Sequence, residues 1–229
     1  MRIALAFDVY GTLIDTAGVV AELRALVGNR AEAFSALWRE KQLEYSFRRA
    51  LMRRYAKFSV CVSESLDYVS ARLDVSLADE DRARVLGVFG ALPAFDDVDY
   101  CLARLDIGEF GLYALSNGSR DAVEKLLENA GINERFADIV SVDEIETFKP
   151  DPAVYEHFLK RAGVDGSHAW LISGNPFDVI GAQSAGMNGV WVKRSLDAVY
   201  DPWGVEPTLT ASSLAELGPK LQEFLARSR

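Results

Sequence analysis

Histidine and cysteine are scarce in this 229-residue chain, two of each, and no long apolar run is present; each shortage closes off a class of protein. His157 and His168 are too few for a polyhistidine metal centre, and neither stands with a plausible serine or cysteine nucleophile, so both read as solvated helix or loop-edge residues. Cys61 and Cys101 lack metal-site spacing and are too few for a disulfide framework, which suits a reducing, cytoplasmic setting. The apolar stretches are strand-sized and broken by charges, and the N-terminus runs from Arg2 straight into one of them, so neither a membrane span nor an export signal is expected. Positive charge is in deficit as well. A net charge of −9 argues against nucleic acid as a partner, because phosphate binding needs a concentrated basic surface. Residues 39–57 are the exception, with seven basic residues against two acids; they either help draw in a small anion or form a solvated helix face.

What remains is an ordinary globular composition, 49% hydrophobic and 26% charged. Short apolar segments at 3–7, 111–115, 139–142, 169–172 and 189–192 read as strands. Helical patterns at 120–130, 151–161 and 176–185 lie between them, closed by Gly131, Gly163 and Gly186, with Pro152 and Pro176 near two starts. This alternation predicts an α/β fold with a mostly parallel sheet flanked by helices. Residues 16–91 break the rhythm with helix-period segments and hardly any strand signal, so the expected organisation is a core of 1–15 and 92–229 with an inserted helical domain at 16–91. Phe34, Trp38 and Tyr45 fall at helical spacing there and read first as packing residues.

In an open parallel sheet, ligands bind beyond the carboxyl ends of the strands. Four polar sets occupy such places: Asp8 with Thr12 in "FDVYGTL"; Ser116 and Asn117 in "LSNGS"; Lys149 in "FKPDPAVY"; and Ser173, Asn175 and Asp178 in "ISGNPFD". Singly, each has a plain reading as turn chemistry, a surface loop or a helix-dipole partner. Four in order at four strand ends point to a site.

With "SVDEIETFKPDPAVY" and "WREKQLEYSF", these motifs resemble the haloacid dehalogenase (HAD) superfamily, and within it the L-2-haloacid dehalogenases. The resemblance implies a Rossmann-like core with a helical cap and a substrate that is a short, anionic 2-haloalkanoate. Phosphatases of the superfamily carry a second acid two positions after the nucleophile and an acidic pair that holds Mg²⁺; here those places are Tyr10 and Asn175. A halide leaves without being protonated, and no phosphate needs neutralising, so neither acid nor metal is called for. No cofactor and no metal are expected.

The implied mechanism has Asp8 displace halide from C2 with inversion, and water then cleave the resulting ester at the Asp8 carbonyl, giving the (R)-2-hydroxy acid. Lys149 keeps Asp8 ionised and Asp178 activates or positions the water. Ser173 and Asn175 orient Lys149 and Asp178. Thr12 and Ser116 hold carboxylate oxygens, of Asp8 or of the substrate, and Tyr155 supports the lysine beside the substrate. Arg39 clamps halide and carboxylate, with Asn117 as a neutral donor. Tyr10, Leu43, Phe58 and Phe177 form the apolar wall. Glu40 stands where the family motif reads Gln, and Phe177 where Trp is frequent, changes that retune substrate size or favour another activated small carboxylate such as fluoroacetate or azetidine-2-carboxylate. The competing expectations are a Mg²⁺-dependent phosphatase and a catalytically silent binding protein on the same fold. The family resemblance also suggests a homodimer.

Overall fold

The computed structural model describes residues 2–105 and 108–227. Six strands form one wholly parallel sheet among the described residues: β1 (Ile3–Asp8), β2 (Phe110–Ser116), β3 (Asp138–Ser141), β4 (Ala169–Ser173), β5 (Asn188–Val192) and β6 (Leu209–Ala211). Their order is β3-β2-β1-β4-β5-β6. The strand order reverses beside β1, which places the ligand crevice at its carboxyl end. Ala4, Leu5, Ala6 and Phe7 are all buried, because β1 is covered on both faces; that is why its sequence is continuously apolar rather than alternating. Asp8 pairs in register with Leu115, and Ser116 with Ser141, so polar residues line one edge of the sheet.

Between β1 and β2 lie α1 (Val20–Val27), α2 (Ala31–Leu51), α3 (Phe58–Arg72), α4 (Asp79–Phe89) and α5 (Val98–Arg104). The first four fall within the segment expected to be helical, and α2 and α3 pack on each other through Trp38, whose indole donates to the Val62 carbonyl at 2.9 Å. The two chain crossings into this segment are tied together. Asp15 N donates to the Pro93 carbonyl at 2.9 Å and Phe95 N to the Leu13 carbonyl at 3.0 Å.

The later helices are α6 (Arg120–Asn129), α7 (Pro152–Ala162), α8 (Pro176–Ser184) and α9 (Leu217–Arg227). Val123, Leu126 and Leu127 form the buried stripe of α6. In α7, Asp151 caps the start by accepting from Ala153 N, Pro152 supplies the first turn, and Gly163 ends the helix with φ +67°. The three-residue β6 and the seven-residue α5 were not singled out in the sequence, being too short to show a period. No described helix is long and apolar enough to cross a membrane.

Candidate active site

Asp8 ends β1, and the turn after it folds back on itself. Leu13 N and Ile14 N both donate to the Val9 carbonyl, and Gly11 takes φ +80°, a left-handed conformation that favours glycine. This turn lies against the one after β4 so closely that a Cβ on Gly174 would collide with the Gly11 carbonyl oxygen. Gly174 N donates to Thr12 Oγ1 at 2.8 Å, and Thr12 in turn donates to Asp8 Oδ2 at 2.7 Å.

The two oxygens of Asp8 are treated differently. Oδ2 accepts from Thr12, from Ser173 Oγ at 3.0 Å and from Asn175 Nδ2 at 2.7 Å, whereas among the described residues Oδ1 accepts from Lys149 Nζ alone, at 3.0 Å. Lys149 is fully buried, and its three ammonium protons have three acceptors: Asp8 Oδ1, the Leu115 carbonyl at 2.8 Å and Asp178 Oδ2 at 2.7 Å. Its backbone N–H donates to Asn117 Oδ1 at 3.0 Å, joining the loops after β2 and β3. Tyr155 completes the chain by donating to Asp178 Oδ1 at 2.8 Å.

Burial alone would raise the Asp8 pKa, but the Lys149 charge, hydrogen bonds from Thr12 and Lys149, and the charge of Arg39 outweigh it, so this carboxyl is held below its ordinary value. Asp178 goes the other way. Burial lifts it to about 6, Lys149 offsets this only in part, and the negative charge of Asp8 adds to the rise. Lys149 sits above its ordinary value because Asp178 and Asp8 together overcome its desolvation. Burial raises Tyr10 to about 12, so its phenol stays neutral.

Arg39 reaches over the site from α2. Its Nη2 lies 3.4 Å from the Tyr10 carbonyl, and its buried Nη1 has no partner among the described residues. A desolvated cationic donor left unpaired beside Asp8 is costly unless an anion meets it. The Tyr10 ring stacks on Phe89 at 5.5 Å and lies 5.8 Å from Phe58, while Phe177 meets Phe47 edge-on at 5.1 Å. Leu43, one turn beyond Arg39 on α2, is half-buried.

Several expected positions acquire different partners. Ser173 and Asn175 do not turn to Lys149 or Asp178; both donate to Asp8, and Asn175 also donates to the Tyr10 carbonyl at 3.1 Å. The reason is that an ammonium has no acceptor to offer these donors, both Asp178 oxygens are taken by Lys149 and Tyr155, and Asp8 Oδ2 is the open acceptor. Tyr155, expected near the substrate as a support for the lysine, is instead fully buried behind Asp178, where its hydroxyl meets both the carboxylate, at 2.8 Å, and the backbone carbonyl, at 3.2 Å. Ser116 Oγ accepts from Gly118 N at 3.0 Å and so shapes its own loop.

Two contributors escaped the sequence reading. Ser141, at the end of β3 within a motif already noted, donates to the Gly118 carbonyl at 2.7 Å, and the strand-end rule reaches it. Arg194 pairs with Asp97 through both carboxylate oxygens and donates to the Thr12 carbonyl; nothing in the chain signals a contact 182 residues away.

The donor set also bears on a metal. Asp8 Oδ2 faces hydroxyl and amide hydrogens, and Oδ1 faces an ammonium, so both oxygens of the nucleophile are taken by donors that a divalent cation would have to displace. Among the described residues no cluster of His, Cys, Asp and Glu has metal-binding form. The site does not fit Mg²⁺.

Comparison with known proteins places the chain among its relatives. The chain is 32% identical to an (S)-2-haloacid dehalogenase of Pseudomonas putida over 93% of each sequence, and 34% identical to (S)-2-haloacid dehalogenase 2 of Pseudomonas sp. strain CBS-3 over 98% of this chain and 97% of that one. Its fold superposes on L-2-haloacid dehalogenase from Xanthobacter autotrophicus with a TM-score of 0.91 at 29% identity, covering 97% and 99% of the two chains. A structure of the Xanthobacter enzyme with chloropropionic acid covalently bound gives 0.90 at 30%, with the same coverage. A family model for haloacid dehalogenase-like hydrolases matches residues 4–186, and the chain belongs to that family, within the group of (S)-2-haloacid dehalogenases.

Proposed function

We propose that the protein hydrolyses short (S)-2-haloalkanoates, such as 2-chloropropanoate, to (R)-2-hydroxyalkanoates through an ester on Asp8. The observation that carries the reading is the asymmetry of that carboxylate. With Oδ2 pinned by three donors and Oδ1 held only by Lys149, Oδ1 is the oxygen free to attack C2. Halide departs on the opposite side with the bonding pair and meets the unpartnered Nη1 of Arg39. Asn117, whose side-chain oxygen is occupied by Lys149 N, keeps its amide hydrogens for the same side. Ser116 and Asn117 receive the substrate carboxylate, and Tyr10, Phe58, Leu43 and Phe177 wall the alkyl group.

In the ester, Oδ2 is the carbonyl oxygen, so Thr12, Ser173 and Asn175 become its oxyanion donors when water attacks Cγ. Asp178, with its pKa near 6, is matched to take a proton from that water at neutral pH. The C–O bond made first is kept in the product, Asp8 regains an oxygen from water, and one proton is released per halide. Residues 16–91 act as a cap carrying Arg39 over a core of 1–15 and 92–229. A cytoplasmic homodimer completes the reading; two buried free thiols, Cys61 and Cys101, support the compartment, and family resemblance suggests the dimer.

One turnover in ¹⁸O water with enzyme in excess tests the route. The product hydroxyl is expected to be unlabelled and the label to lie in Asp8; labelled product in that first turnover would overturn the ester. Asp8→Ala should release no halide above background while remaining folded.

A further inference from the structure

A cleft of about 220 Å³ opens beside Tyr10, lined by Phe58, Val62, Leu86 and Phe89 on the α3–α4 side and, on the other, by Gly118 and Ser119 of the loop after β2 and Ala122 at the start of α6. We propose that it receives the alkyl tail, making the preferred substrates 2-haloalkanoates with tails of three or four carbons rather than a methyl group. The inference rests on the dehalogenase reading and extends it to chain length. In-line displacement runs from Asp8 Oδ1 through C2 to a halogen at Arg39, so the other two substituents on C2 must leave that line sideways. The carboxylate takes the polar side, at Ser116 and Asn117; the alkyl group needs an apolar one.

Two cavities flank the site. One, of about 290 Å³, has Trp38, Arg39 and Gln42 of α2 in its wall and so lies on the side assigned to the halide. The other meets the Tyr10 ring from the side. Phe89 lines both and separates them, stacked on Tyr10 at 5.5 Å and against Trp38 at 5.4 Å. Tyr10, Phe58, Val62 and Phe89 are buried in the wall of the lateral cleft, Leu86 is half-buried, and Ser59 and Ala122 are exposed at its rim, so a tail entering it gains burial first and then reaches solvent. Each methylene buried there is expected to raise kcat/KM about fourfold, levelling off at the rim.

The test measures chloride release from (S)-2-chloropropanoate, -butanoate, -pentanoate and -hexanoate. In the natural protein kcat/KM should climb along the series. Ala122→Phe, on an exposed helix position, and Val62→Phe, inside the cleft, should each lower the hexanoate-to-propanoate ratio of kcat/KM tenfold or more. A steady fall with chain length in the natural protein overturns the assignment, as does an unchanged ratio in Ala122→Phe, whether or not Val62→Phe folds. No chloride from any member of the series refutes the dehalogenase reading itself, and the tail site with it.

Discussion

Asp178→Asn separates the two steps of the reaction and tests whether a charge is kept at this position against stability. The substitution preserves shape, and Asn can still accept from Tyr155, yet it removes the negative charge 2.7 Å from Lys149. The Asp178 pKa is raised from 3.8 to about 6, so its ionised form is disfavoured in the folded protein by about 3 kcal/mol. A folded-state pKa above the unfolded one means that the stabilising contribution is complete below pH 3.8 and is lost as the pH climbs through about 6. Asp178→Asn should therefore unfold in urea at pH 7.5 with a free energy about 1–3 kcal/mol higher, and lose that segment of pH dependence. Catalysis should move the opposite way. Loss of a general base costs roughly 10²- to 10⁴-fold, here in ester hydrolysis and not in halide displacement. Rapid quench should give a burst of one halide per site, and mass spectrometry an ester on Asp8. A variant in which halide and hydroxy acid slow in parallel without ester, or whose stability drops by more than about 2 kcal/mol, would refute the argument and leave Asp178 as a prop for Lys149.

Arg39→Lys should lower kcat/KM by roughly 10²- to 10³-fold in chloride-release assays, because an ammonium cannot place one donor on the Tyr10 carbonyl and keep another for the halide; retention within threefold would contradict the clamp. Tyr155→Phe removes a hydrogen bond that favours ionised Asp178, so the acid limb of kcat should move above its natural position near pH 6 while KM stays close to its original value. An unmoved limb would detach Tyr155 from the proton chemistry.

The elements legible in the chain are those governed by neighbours in sequence. β1 declares itself because four consecutive apolar residues suit a strand covered on both faces, and α7 because Asp151, Pro152 and Gly163 satisfy or release backbone groups within their own turns. The order Asp8, Ser116, Lys149, Asp178 was readable for a related reason: parallel strands present their carboxyl ends on one edge, so residues at those ends converge whatever separates them along the chain.

The direction of each polar side chain was decided only in the folded molecule. Asn175 donates to Asp8, 167 residues away, because both Asp178 oxygens are taken by Lys149 and Tyr155; Lys149 is itself saturated through the Leu115 carbonyl, a backbone atom no side-chain pattern marks. Tyr155, which a helical pattern leaves on either face of α7, was turned inward to Asp178 by packing, and Ser116 was drawn into its own loop. The amino-acid sequence by itself determined which chemical groups meet at the sheet edge, through local geometry and apolar periodicity. Tertiary structure decided which oxygen of Asp8 stays free and where the clefts run, because with water excluded each buried donor must take the nearest acceptor the fold supplies, and that acceptor comes from a distant part of the chain.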